Sequence, residues 1–157
     1  AIVRPTIVMS RRAKIWHSLE SLGALPLVPL FGGGGARIQP IHADDLALGL
    51  EAWLQDPTLD RGEYDLGGPE VLTFREFLGR IQRRTRGSAR FLPLPGKGAI
   101  AMLKHVEKVA LPLLPMSAGQ LYSFVYDSTA RPNALQERFA GSMRNVDAIL
   151  DDLLKYG

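Results

Sequence analysis

Few side chains in these 157 residues have the type and spacing for chemistry. Arg37 follows four glycines, Gly32-Gly-Gly-Gly35, and an arginine fork suits phosphate or carboxylate in a bidentate grip. His42 precedes Asp44 and Asp45 where a strand would turn into a helix, so it could titrate near neutral pH. The plainer reading is that His42 holds the junction by a local hydrogen bond and that Asp44 or Asp45 caps the helix. Arg4-Pro5-Thr6 closes the first apolar stretch. In open α/β sheets, ligands bind outside the carboxyl ends of strands. Pro5 and Thr6 are therefore ligand-side candidates, or simply the end of a strand and the start of a turn. Arg37 and His42 are the other binding candidates. No carboxylate pair suggests a general acid and base, so no catalytic residue is assigned. His17, His42 and His105 lack metal-ligand spacing, and no metal site is assigned.

Composition narrows the field further. Apolar residues make up 46% and charged residues 22%, which is globular. The absence of cysteine excludes disulfides, thiolate metal sites and a Cys nucleophile. No apolar run approaches a membrane span, and a cytoplasmic location, peripheral to a membrane at most, is expected. Net charge is +3. Arg80, Arg83, Arg84 and Arg86 lie together, but no aromatic residues interleave with them for base stacking. They read as a helix end whose cations complement the dipole, and no nucleic-acid partner is expected.

The elements that must position these groups follow from pattern. Residues 2–9 read as a strand apolar on both faces, which needs strands beside it and helices over it. We therefore read the chain as the C-terminal part of a larger α/β protein whose N-terminal half is its first partner. A helix over 11–22 follows, then a weak strand at 25–30 interrupted by Pro26 and Pro29. The glycines form a flexible turn, and 37–41 is a strand. A helix over 42–54 carries Leu46, Leu50, Trp53 and Leu54 at helical spacing. A strand at 62–67 precedes Thr73-Phe-Arg-Glu76, a capping box opening a helix to about Thr85. Residues 90–95 are extended. Helices over 99–111, 117–126, 133–139 and 145–156 complete the chain. The helix over 99–111 is amphipathic and could lie on a membrane, cover an apolar substrate or pack in a core.

Taken in order, several stretches resemble the extended or atypical short-chain dehydrogenases, the NAD(P)-dependent epimerase/dehydratase superfamily. They are Val3-Arg-Pro-Thr6; Val28-Pro-Leu-Phe-Gly-Gly-Gly-Gly-Ala-Arg37; Gln39-Pro-Ile-His-Ala-Asp-Asp-Leu-Ala47; Tyr64-Asp-Leu-Gly-Gly-Pro69 with Leu72-Thr-Phe-Arg-Glu76; and Phe91-Leu-Pro-Leu-Pro95. Leu-Gly-Gly-Pro and Phe-Leu-Pro-Leu-Pro look closest to the subgroup containing the nucleotide-binding accessory subunit of respiratory complex I. The resemblance implies the C-terminal strands of a Rossmann-like parallel sheet and a small, mostly helical substrate-binding lobe. It implies NAD or NADP in the full-length protein, with the backbone after Pro5 near the nicotinamide and Arg37 on an anionic substrate group. The superfamily's Gly-rich fingerprint and its Tyr-x-x-x-Lys pair are not in this stretch, so no bound cofactor is expected for it alone. Three functions follow: half of an oxidoreductase, epimerase or dehydratase acting on a small anionic or apolar substrate; a non-catalytic NAD(P)H-binding subunit of a protein complex; or a cofactor-free binding module.

Overall fold

The computed structural model describes residues 2–59, 62–85, 90–94 and 125–155. The helices expected over 99–111 and 117–126 lie wholly or almost wholly outside them. Contacts divide the chain into two compact units. The first comprises Ala1–Ala13, Ile38–Val71 and Ser128–Gly157. The second comprises Lys14–Arg37 and Leu72–Asp127.

In the first unit, strand β1 (Ile2–Pro5) pairs in parallel with β6 (Glu63–Leu66), placing Ile2 beside Glu63 and Pro5 beside Leu66. Strand β2 (Val8–Met9) pairs in parallel with β5 (Ile41–His42). The expected single buried strand over 2–9 is thus two short strands. Thr6 and Ile7 break the run, and β1 is largely exposed, with Ile2 at 51%. Likewise 37–41 divides into β4 (Arg37–Ile38) and β5, because Pro40 has no N–H to donate to a ladder.

Helix α2 (Ala43–Gln55) lies against this pair of ladders, with α4 (Ala134–Phe139) and α5 (Val146–Leu154). Asn133 and Asn145 cap the last two by accepting the N–H groups of Gln136 and Ala148. The core is Ile41, Leu66 and Leu135, flanked by Val3, Val8, Leu46, Trp53, Phe139 and Met143. Leu54 does not join it; at 75% exposure it faces outward. Among the described residues no helix is long and apolar enough to cross a membrane.

In the second unit, β3 (Val28–Phe31) pairs in parallel with β8 (Phe91–Leu94), and Pro29 is tolerated beside Leu92. Helix α1 (Lys14–Gly23) packs on α3 (Phe74–Thr85). Gly23 makes that packing close, since a β-carbon there would meet Ile81 Cγ2 at 2.7 Å. Trp16, Leu19, Leu22, Phe77, Leu78 and Ile81 are buried. Strand β7 (Leu72–Thr73) leads into α3 through the expected capping box. The Glu76 N–H donates to Thr73 Oγ1 at 3.2 Å, and the Thr73 N–H donates to Glu76 Oε2 at 2.7 Å. These bonds from Thr73 hold the Glu76 carboxyl below its usual range. Thr73→Ala is expected to destabilise the fold by about 1 kcal/mol, the usual effect of losing a cap. Urea melts with an unmoved midpoint would show that the box contributes nothing. At the other end of α3, Arg84 Nη1 donates to the Arg80 carbonyl at 3.4 Å, as cations at a helix C-terminus do.

Candidate functional site

Within the first unit, the carboxyl ends of β1 and β6 meet at one polar cluster. Pro5 is exposed and Thr6 half-buried. The Thr6 N–H continues the ladder to the Leu66 carbonyl at 3.0 Å, and Thr6 Oγ1 donates to the Gln39 carbonyl. Gln39 is 6% exposed and satisfied at both ends of its amide. Its Nε2 donates to the Gly68 carbonyl at 2.6 Å, and its Oε1 accepts the Ala130 N–H at 2.8 Å. Gln136 Oε1 accepts the Gly67 N–H at 2.7 Å. A β-carbon on Gly67 would meet Gln39 Cδ at 2.6 Å, and one on Gly68 would collide with the Pro40 carbonyl. The two glycines of Leu-Gly-Gly-Pro are therefore required for close approach.

One strand step earlier, Arg131 Nε donates to Asp65 Oδ2 at 2.6 Å, and the Arg131 N–H donates to the same oxygen. The side-chain bond from Arg131 is the main cause that holds Asp65 below the ordinary carboxylate range. The pair stabilises the fold above the ordinary carboxylate range, and that contribution is lost as pH falls through the lowered value. Asn133 Nδ2 adds a bond to the Asp65 carbonyl at 2.7 Å.

His42 lies at the other end of the β2–β5 ladder from Thr6 and is 5% exposed. It is the N-cap of α2: its Nδ1 accepts the Asp44 N–H at 3.2 Å. This corrects the expectation that Asp44 or Asp45 caps the helix. Asp45 is instead buried at 6% exposure and accepts the Arg144 N–H at 2.9 Å. The His42 ring also meets the Arg144 guanidinium at Nδ1 and Asp152 at Nε2. Both ring nitrogens are occupied.

Arg37 belongs to the second unit. Its N–H donates to Asp127 Oδ1 at 2.8 Å, and its side chain is exposed with no ion pair among the described residues. The glycines ahead of it form a tight turn in which Gly32, Gly33 and Gly34 all have positive φ. A left-handed backbone at three successive residues is a defined conformation that other residues rarely adopt, where the sequence suggested only a flexible turn. Gly34 also abuts Arg75, whose guanidinium lies 5.3 Å from the centre of the Phe91 ring.

Pro5 lies exposed at the carboxyl end of β1, where ligands of open parallel sheets bind. A diphosphate needs backbone N–H groups at a helix N-terminus, and the Gly32–Gly34 turn leads into β4 instead. Sequence reasoning singled out Pro5, Thr6, Arg37 and His42 as candidates and did not single out Gln39, Gln136, Asp127 or Arg144. Their partners lie far off in the chain, and the only local signal was the paired glycines at 67 and 68.

No family model matches the chain. It is 31% identical over 147 residues to NADH dehydrogenase [ubiquinone] 1 alpha subcomplex subunit 9, mitochondrial, of Arabidopsis thaliana, covering 86% of this chain and 36% of that protein. Among solved structures it superposes on TunA, an NAD-dependent NDP-hexosamine 5,6-dehydratase of tunicamycin biosynthesis, with TM-score 0.58 and 16% identity. The match covers 99% of this chain and 44% of that one. On the UDP-glucose 4-epimerase of Thermus thermophilus the TM-score is 0.51 at 15% identity, covering 99% and 46%. The chain thus spans less than half the length of the proteins it matches.

Motifs and fold point the same way: the chain is similar in sequence to an NADH dehydrogenase alpha-subcomplex subunit and shares the fold of NAD-dependent dehydratases and epimerases. Two curated relatives are NADH dehydrogenase alpha-subcomplex subunits, from Arabidopsis thaliana and Dictyostelium discoideum, in line with the resemblance that Leu-Gly-Gly-Pro suggested.

Proposed function

We propose that this chain is the substrate-side portion of a larger NAD(P)-binding protein. The observation that carries the reading is the meeting of β1 and β6 at an exposed Pro5 and a hydrogen-bonded Thr6. Ligands of open parallel sheets bind at such strand ends. When bound, NAD(P) supplies hydride transfer, and the residues of this chain position what it reacts with. Pro5 and Thr6 border the cofactor. His42 keeps the β5–α2 junction rigid at the substrate side. Arg37, anchored through its backbone N–H to Asp127 and with no ion pair among the described residues, takes an anionic group of the substrate.

A second reading has a specific observation behind it. Among the described residues, His42 has both nitrogens taken, and Asp45 and Asp65 are each held by an arginine. None of these three is free for acid–base work. With relatives that are named as subunits, this favours a protein that carries NAD(P)H within an assembly without turning it over.

The test uses the full-length protein. Arg37→Lys keeps the charge but loses the fork. Calorimetric titration with nucleoside-diphosphate sugars should show affinity for one of them in the wild type. The variant should bind it about tenfold more weakly, with its melting temperature unchanged. Equal affinity in the two, or a loss matched by a lowered melting temperature, removes Arg37 from the binding site. Tight NADPH binding with no response to any candidate substrate supports the carrier reading instead.

A further inference from the structure

Charge is divided unevenly between the two units. The second carries eleven Lys and Arg against four Asp and Glu, a net of +7, while the first carries eight against twelve, a net of −4. Ion pairing follows the same divide. In the first unit Arg4, Arg11, Arg131, Arg138 and Arg144 each meet a carboxylate. In the second, Arg37, Arg75, Arg83 and Arg90 meet none among the described residues. Two of these four flank one aromatic ring. The Arg75 guanidinium lies 5.3 Å from the centre of the Phe91 ring. At Gly79, the place a β-carbon would take is 3.5 Å from Arg83 Nη1 and 3.8 Å from Phe91 Cζ. Arg75, Gly79 and Arg83 succeed one another at four-residue steps and so share one face of α3.

This face breaks two local rules. Arg75 is the second residue of α3, where a cation meets the positive end of the helix dipole. The arginines also repel one another, and Glu76, the one acid in α3, is engaged by Thr73 in the capping box. Chains break such rules where function requires it. Held over Phe91, Arg75 has the N–H groups of its fork unpartnered among the described residues. We propose that the Arg75–Phe91–Arg83 face docks an acidic segment of a partner protein, whose carboxylates enter the two forks. This concerns the second unit and goes beyond either reading of the strand end. Charge complementarity demands an anion, and the neighbouring residues favour protein. A helix lying on a membrane sinks apolar residues beside its cations, whereas Phe74, Phe77, Leu78 and Ile81 of α3 are all buried. Single-stranded nucleic acid stacks its bases on aromatic rings, and Arg75 already lies over Phe91. Protein interfaces enrich arginine and aromatic residues and deplete lysine, and α3 has four arginines and no lysine.

The test is fluorescence anisotropy of a labelled hexaglutamate peptide with the full-length protein at low salt, where exposed charges are least screened. The wild type should bind the peptide. Arg75→Gln and Arg83→Gln should each weaken binding about fivefold, the scale of one net hydrogen bond. Their melting temperatures should stay level or rise, because each change removes a repulsion. Arg84→Gln is the control, since Arg84 Nη1 donates to the Arg80 carbonyl. It should bind the peptide within about twofold of the wild type, as a surface change away from the face would. An equal loss in Arg84→Gln would mean a diffuse field and overturns the face. A lowered melting temperature in Arg75→Gln and Arg83→Gln makes those arginines structural and overturns it too, as does a wild type that ignores the peptide. Oligothymidine or phosphatidylglycerol vesicles bound more tightly than the peptide, and lost in the same two variants, overturn the protein partner.

Discussion

Gly68→Ala should cost on the order of 3 kcal/mol, at the upper end of what overpacking does. The added methyl would collide with the Pro40 carbonyl, which is backbone and has no rotamer to escape into. Pro40 is buried between Gln39 and Ile41, both fixed, so relief requires the Gly67–Gly68 segment to draw away. That would stretch the 2.6 Å bond from Gln39 Nε2 to the Gly68 carbonyl and the Gly67–Gln136 bond with it. Since the Gln39 carbonyl accepts from Thr6, the damage would reach the strand end proposed to border the cofactor. Gly141→Ala is the control, because a β-carbon there meets nothing within 4 Å. It should change stability by no more than about 0.5 kcal/mol. Urea midpoints of the two variants decide the matter, and equal midpoints would refute the close-approach account of Leu-Gly-Gly-Pro.

NADPH should bind this stretch alone at least about a hundredfold more weakly than it binds the longer protein. A factor of that size is ~3 kcal/mol, roughly what two charge-assisted hydrogen bonds contribute. The diphosphate is the part of the dinucleotide for which the described residues offer no cradle. Its glycine turn at 32–34 feeds a strand, and the exposed Pro5 carries no N–H at all. What remains among the described residues is the strand end proposed to border the nicotinamide. Fluorescence titration of both proteins is the measurement. A micromolar dissociation constant for the stretch alone would mean that a phosphate site has been overlooked.

Local chemistry was legible in the sequence, and long-range chemistry was not. Thr73 and Glu76 announced their capping box because both partners lie within one turn of helix. Asn133 and Asn145 stood where α4 and α5 begin for the same reason. The helix over 42–54 was legible from its periodicity, but its cap was misassigned. Two aspartates in a first turn look like caps, while an imidazole that points its Nδ1 at the next N–H but one has no distinctive spacing. The strand over 2–9 was read as buried because every apolar residue in it could be. Burial depends on what lies alongside, and Ile2 has little over it. Gln39 was invisible for another reason. A glutamine states nothing about its partners until the chain brings Gly68 and Ala130 to either end of its amide.

The route by which the first unit is threaded has a consequence for its birth. That unit draws on three separated stretches of chain, and Arg11 meets a residue 141 positions later in Asp152. The second unit also closes across a gap, but its last described strand, β8, is made well before Ala130. On a ribosome, β1 and the Gln39 side chain would emerge early and wait. Ala130 and Gln136, which complete their hydrogen bonds, are translated 91 positions after Gln39 and 69 after Gly67. High contact order of this kind slows folding, because loop closure must precede the contacts that reward it. During that wait Oε1 of Gln39 and the N–H of Gly67 would be satisfied only by water. A chain halted before Ser128 would leave them so permanently, with the second unit's β3 and β8 already synthesised. Translational pausing or premature stops in the final fifth of this stretch would therefore damage the strand end first.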